Sequence, residues 1–262
     1  MEVFRKYGKS PFRVVLVHGG PGAIGEMKPV ALKLAEYFGV IESVNRAMSV
    51  DGQIRELQQC VESCGEVKPV IAGFSWGAWL SLLYAALFPG QIGKLVLMGC
   101  GPLEDQHAKN IYETRLNRLG VRQRSEFATL LSGIEKNLFT DRREAFLKLS
   151  SLVSLSDSYD AETEDTNDTE IDPDVYISVW NEASELRKKG ILLQQLSRIT
   201  CPIIAIHGDY DPHPAEGIHI PLRNSGCNYS FELLKQCGHK PWIERKARDH
   251  FYRLLTEYIM HR

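Results

Sequence analysis

No apolar run in the sequence is long enough to cross a bilayer. The longest mostly apolar stretch, Trp76 to Phe88, stops at Pro89-Gly90, well short of the roughly 20 residues a membrane helix needs. Nor do Met1 to Lys9, with Arg5, Lys6 and Lys9, lead into a secretory core, because His18 and a glycine cluster interrupt the first hydrophobic segment. Cysteine is scarce: Cys60, Cys64, Cys100, Cys201, Cys227 and Cys237 show neither C-x-x-C spacing nor the density of a disulfide scaffold. Reduced thiols in a cytoplasmic protein without a membrane segment are therefore expected. A basic surplus is also missing, with 31 Lys and Arg against 33 Asp and Glu and a formal net charge of -2, so no nucleic-acid partner is expected. Histidines 207, 213 and 219 are spread around one loop with no H-E-x-x-H or paired C-x-x-C, which argues against a catalytic metal. No repeat appears at solenoid or propeller periods.

What is present is an ordinary globular composition, 44% hydrophobic and 24% charged over 262 residues. That length suits one large domain or a core with an inserted subdomain. Phe12 to Val17 reads as a strand ending at His18-Gly19-Gly20-Pro21-Gly22, followed by helical spacing over Lys28 to Phe38. Gly39 to Val44, Pro69 to Ala72 and Lys94 to Met98 read as further strands, alternating with helices over Asp51 to Cys64 and Ala78 to Phe88. Such alternation predicts an α/β fold whose mostly parallel sheet is covered by helices on both faces. Residues 103–196 contain no convincing buried strand and read as helices. The strand pattern resumes at Pro202 to Ile206 and Tyr229 to Leu234, and a helix over Ile243 to His261 closes the chain. The expected organisation is a core of 1–102 and 197–262, with about six strands, interrupted by a helical cap at 103–196.

Gly73-Phe74-Ser75-Trp76-Gly77 matches G-x-S-x-G between a strand and a helix. A strand turning directly into a helix forces the serine into a sparsely populated backbone conformation, and side chains at either glycine would strike neighbouring chain. A serine hydroxyl is a weak nucleophile that needs a base, usually a histidine held by a carboxylate. His239 follows the last expected strand and Asp211 the one before it, at the sheet end where open parallel sheets bind ligands. Asp209 is the competing acid, with Glu104 and Asp105 more distant candidates. Charge developing on a carbonyl oxygen could be held by two backbone N–H groups, from Trp76 and from Gly20 in the first glycine loop. A dinucleotide loop is disfavoured because Gly20, Gly22 and Gly25 come without the acidic partner and strand register that a dinucleotide site requires.

On these motifs the chain resembles an α/β-hydrolase, and His18-Gly19-Gly20-Pro21-Gly22 with Gly73-Phe74-Ser75-Trp76-Gly77 is similar to the prolyl aminopeptidase (proline iminopeptidase) branch. The resemblance implies Ser75 as nucleophile, His239 as base, Asp211 as its orienting acid and a helical cap that shapes the pocket. It implies no organic cofactor. Members of that branch carry two further strands before the glycine loop, whereas only about eleven residues precede Phe12 here, so a shortened first sheet edge is expected.

The expected activity is hydrolysis of an ester, thioester or small amide through an acyl-serine, on a small-molecule substrate. Aminopeptidase and carbon–carbon bond hydrolase chemistry use the same residues, and a catalytically idle ligand-binding relative is the alternative of another class. Phe74 and Trp242 are candidate pocket residues, and Trp79 is expected to pack within its helix. Glu182, with Glu185 beside Trp180, is a candidate to hold a substrate amine. Nine acidic residues at positions 157, 160, 162, 164, 165, 168, 170, 172 and 174, with no Lys or Arg among them, read as a solvated loop or as an acidic lip over the site.

Overall fold

A computed structural model describes residues 3–65, 68–162 and 169–261. Nine strands are described. Seven form the main sheet: β1 (Phe4–Tyr7), β2 (Phe12–Val17), β4 (Gly39–Ser43), β5 (Val70–Phe74), β6 (Lys94–Met98), β8 (Ile203–Gly208) and β9 (Tyr229–Leu234). The other two, β3 (Ala23–Ile24) and β7 (Glu170–Ile171), pair with each other. The sheet order is β1-β4-β2-β5-β6-β8-β9. In this sheet only β1 runs antiparallel, against β4, and its other pairings are parallel. The short β1 is the seventh strand that the sequence reading leaves out.

The central strands are apolar on both sides, and their alternating residues sort into two cores. Val15, Val17, Ile71, Leu95 and Leu97 face a layer containing α2 (Val50–Glu62) and α3 (Trp76–Leu87) through Ile54, Leu57 and Leu80. Val14, Leu16, Ala72, Val96 and Met98 face the opposite layer, where α1 (Lys28–Leu34) supplies Val30 and Leu34 and α10 (Arg248–Met260) supplies Phe251 and Leu255.

Between β6 and β8 lie α4 (Ile111–Arg118), α5 (Val121–Glu135), α6 (Arg142–Asp157), α7 (Pro173–Lys188) and α8 (Ile191–Gln195); α9 (Glu216–Ser225) joins β8 to β9. Leu119, Phe127, Leu130, Ile134, Phe146 and Leu152 make a third apolar cluster, separate from the sheet's two. Val175, Val179 and Ala183 of α7 instead belong to the core on the α3 side. α7 therefore fastens these helices to the sheet.

Candidate active site

The backbone at Ser75 has φ 52° and ψ -113°, a positive φ that a non-glycine residue adopts only under constraint. The constraint comes from both sides. A Cβ on Gly73 would lie 2.2 Å from the Gly77 carbonyl oxygen, and one on Gly77 would lie 2.4 Å from that of Val17. Ser75 N–H donates to the Met98 carbonyl at 2.9 Å, which pins the turn from β5 into α3 to the end of β6. The Trp76 N–H opens α3, where helix geometry leaves the first N–H groups without an intrahelical acceptor. Gly20, at φ +23°, sits in the loop after β2 and lines the same cavity as Ser75 and Trp76.

Asp211 and His239 come together from the ends of β8 and β9. His239 Nδ1 donates to Asp211 Oδ2 at 2.6 Å, and Ser75 and His239 line one cavity. The competing acids are engaged elsewhere. Asp209 Oδ1 accepts the Cys237 N–H at 3.3 Å, Glu104 accepts from Gln106 at 3.4 Å, and Asp105 pairs with Arg187 at 3.2 Å. Burial raises the Asp211 pKa, but the imidazoles of His239, His213 and His207 outweigh it and hold the carboxyl well below the usual range. His213 is a neighbour the sequence reading leaves without a role. Its backbone N–H and its Nδ1–H donate to Asp211 Oδ1 at 2.9 and 2.7 Å, and its ring centroid lies 4.5 Å from that of His239.

Asp211, His213 and His239 are the one grouping of three metal-competent side chains among the described residues. Both imidazole Nδ1 atoms donate to the carboxylate there.

The cavity measures about 440 Å³. Its far wall comes from the helices between β6 and β8, including Tyr112, Phe127, Phe146 and Leu149. Trp79 is part of it, where the sequence reading expects helix packing: its ring is parallel to that of Trp180, at 5.8 Å between centroids and 4° between planes. Tyr176 continues the stack at 6.1 Å from Trp180. Phe74 lines the cavity.

Trp242 does not line the cavity. Buried to 3% exposure, it packs edge-on against Phe74 at 4.6 Å and so backs that ring from the core side. Glu182 is likewise elsewhere, because its Oε2 accepts the Val50 N–H at 2.8 Å at the start of α2. That carboxylate supplements the Ser49 hydroxyl, which accepts from Gly52 N–H at 3.1 Å. Glu182→Ala is expected to cost about 1 kcal/mol of stability or less and to leave kcat/KM within about twofold, as thermal melts and steady-state kinetics would show. A large rise in KM for an amine-bearing substrate would restore Glu182 to a binding role.

The acidic run does not form a free acidic lip where it is described. Asp157 pairs with Arg115 at 2.6 Å, Asp160 with Arg245 at 3.5 Å, and Glu162 with Arg248. Glu170 pairs with Arg5 at 2.9 Å and Arg46 at 2.7 Å, and Asp174 pairs with Arg142. The Asp172 carboxylate accepts N–H groups at the start of α7. Glu164, Asp165 and Asp168 lie outside the described residues.

Two further groups carry no local sequence signal. The buried Glu244 carboxylate accepts N–H groups from Tyr159 at 2.8 Å, Asp160 at 2.8 Å and Gly238 at 2.9 Å. The Asp157 carbonyl accepts the His239 N–H at 2.8 Å. Together they tie the end of α6 to the histidine loop.

A family model described as alpha/beta hydrolase fold matches residues 13–245. No curated protein gives a significant sequence match. Among solved structures, that of VinJ superposes with a TM-score of 0.67 at 19% identity, covering 98% of this chain and 93% of that one. A monoacylglycerol lipase from Paleococcus ferrophilus gives 0.62 at 18% identity, with 99% and 98% covered. A thermophilic esterase from Thermogutta terrifontis gives 0.62 at 18% identity, with 97% and 91% covered. At these identities the likeness speaks for the fold. Among the described residues no helix is long and apolar enough to cross a membrane.

Proposed function

Starting from a chain that belongs to the alpha/beta hydrolase fold family, we propose that it is a serine hydrolase acting on a small acyl ester or thioester through a covalent acyl-serine. The observation that carries this reading is the 2.6 Å Asp211–His239 hydrogen bond at the edge of the cavity into which the strained Ser75 turn opens. An ionised Asp211 fixes the proton on His239 Nδ1, which leaves Nε2 bare as a base. Ser75 attacks the carbonyl carbon while His239 Nε2 takes its proton. The oxyanion is held by the N–H groups of Gly20 and Trp76, a term worth about 2.7–4 kcal/mol per donor. His239 then protonates the departing alcohol or thiol. Water, giving its proton to the same Nε2, releases the carboxylic acid and restores Ser75.

Residues 103–196 act as the cap, and the Trp79, Trp180 and Tyr176 stack with Phe127 and Phe146 gives the acyl group an apolar wall. An aminopeptidase reading has less support. Among the described residues, both carboxylates that line the cavity are already paired with cations, Glu26 with Lys240 at 2.9 Å and Asp157 with Arg115 at 2.6 Å.

The test is labelling with a fluorophosphonate, mapped by mass spectrometry. Label is expected at Ser75 and absent from folded Ser75→Ala, whose ester turnover falls by about 10⁶-fold. Label on another residue, or none on the folded wild type, would overturn the assignment.

A further inference from the structure

Asp211 holds two imidazoles, one on each oxygen. His239 takes Oδ2 at 2.6 Å and His213 takes Oδ1 at 2.7 Å, so both rings direct Nδ1 at the same carboxylate. His207, whose Nε2 lies 2.8 Å from the His213 carbonyl oxygen, fixes the backbone that carries the second ring. The His213 ring lines the cavity beside that of His239, at 4.5 Å between centroids. Burial, helped by the neighbouring His239, outweighs the raising pull of the Asp211 carboxylate and lowers the His213 pKa to about 4, so the ring is neutral near pH 7. With its proton on Nδ1, its Nε2 is a bare acceptor.

Position then decides what that acceptor meets. The His239 Nε2 marks where the leaving group takes its proton and where water enters, and the neighbouring ring offers a second acceptor next to that place. The surroundings select against an ammonium donor. Arg115, Arg187 and Lys240 line the cavity, and its described carboxylates, Glu26 and Asp157, are already paired.

We propose that His213 is a specificity-determining residue whose Nε2 accepts a hydrogen bond from a neutral hydroxyl carried on the leaving alcohol, close to the scissile oxygen. The substrate class is then the hydroxyalkyl or polyol monoester of an apolar acid. This inference rests on the serine hydrolase reading of the same site.

The test compares two esters of one acyl chain, a glycerol monoester and a propyl ester, on the wild type, His213→Phe and His213→Asn. Asparagine can replace the Nδ1–H donor to Asp211 but offers nothing at the Nε2 position. Phenylalanine removes both. The wild type is expected to favour the glycerol ester in kcat/KM by roughly tenfold, the worth of one well-formed hydrogen bond. Both variants are expected to bring the ratio close to one. Were His213 merely a support for Asp211, His213→Asn would keep the wild-type ratio, and that outcome overturns the proposal. A wild type that turns over both esters equally overturns it too, with Ser75 still labelled by the fluorophosphonate. Failure of the underlying reading looks different, because neither ester is then turned over and Ser75 carries no label.

Discussion

Asp211→Asn is expected to lower kcat by about four orders of magnitude in a protein that stays folded. The carboxylate offers acceptors on both oxygens, whereas an amide offers one acceptor and one NH₂ donor. The backbone N–H and Nδ1–H of His213 both aim at Oδ1, at 2.9 and 2.7 Å, and they draw the amide carbonyl to that side. The NH₂ group then faces His239 across what was the 2.6 Å bond. A donor opposite Nδ1 pushes the His239 proton to Nε2, the tautomer that cannot take the Ser75 proton. Turnover of a chromogenic ester and the rate of fluorophosphonate labelling should fall together, with the far-ultraviolet circular dichroism spectrum unchanged. A kcat within tenfold of wild type would remove Asp211 from the mechanism. The pH profile gives a second check. The folded-state pKa of Asp211 is depressed, so the stability it contributes is present above its unfolded value of about 3.9 and is lost only as pH falls through the lower folded value. Any acid limb seen between pH 5 and 8 therefore belongs to a different group.

Features with a local cause were readable in the sequence. The buried strands β2, β4, β5, β6 and β8 are short β-branched or aliphatic runs bounded by glycine or proline, so their strand character shows in the local pattern alone. The Ser75 turn was readable because the two glycines are a steric requirement visible in five residues. The position of an acid just after β8 was readable too, but it left Asp209 competing with Asp211, and it is Asp211 whose carboxylate lies 2.6 Å from His239.

The features that escaped depend on partners far away in the chain. β1 is four residues, Phe4 to Tyr7, two of them basic, and it becomes a strand only by pairing antiparallel with β4 from Phe4↔Ser43 to Tyr7↔Val40. Glu182 looked like a group on a helix face above the pocket, but its N–H donor comes from Val50, 132 residues earlier. Trp242 reads as a pocket residue but lies behind Phe74 instead, because a sequence does not say which face of a ring is covered. The stack of Trp79 on Trp180 joins α3 to α7 across the insert, and no periodicity within either helix signals it. Glu244 has no motif at all. Its meaning lies in three N–H groups from two other segments.

Asp157→Asn is expected to be the most destabilising single change in the insert. The Arg115 guanidinium reaches this carboxylate twice, Nε to Oδ1 at 2.8 Å and Nη2 to Oδ2 at 2.6 Å, with the Ser156 hydroxyl adding a third donor at 2.9 Å. Burial raises the Asp157 pKa, but the charge and hydrogen bonds of Arg115 outweigh it and hold the group below its usual value. The amide cancels the negative charge and leaves a largely buried guanidinium uncompensated, a loss of about 3–5 kcal/mol for a buried pair broken on one side. For a chain of this size that is a fall in Tm of roughly 6–20 °C. The difference from wild type should be complete at neutral pH and shrink as pH falls through the depressed folded value, because the wild-type carboxylate then takes up its own proton. Turnover should suffer beyond the stability loss, since the Asp157 carbonyl holds the His239 N–H at 2.8 Å and a Cβ on Gly238 would come within 2.1 Å of that oxygen. The double variant Arg115→Met with Asp157→Leu separates the two effects. Removing both charges should recover most of the Tm, and a kcat that recovers with it would mean that the ion pair only holds the helices in place. A kcat that stays low at restored Tm would show that the pair sets the position of the histidine loop. A Tm for Asp157→Asn within 2 °C of wild type at pH 7, roughly the shift of a 1 kcal/mol change or less, would show instead that solvent reaches the guanidinium and that the pair contributes little.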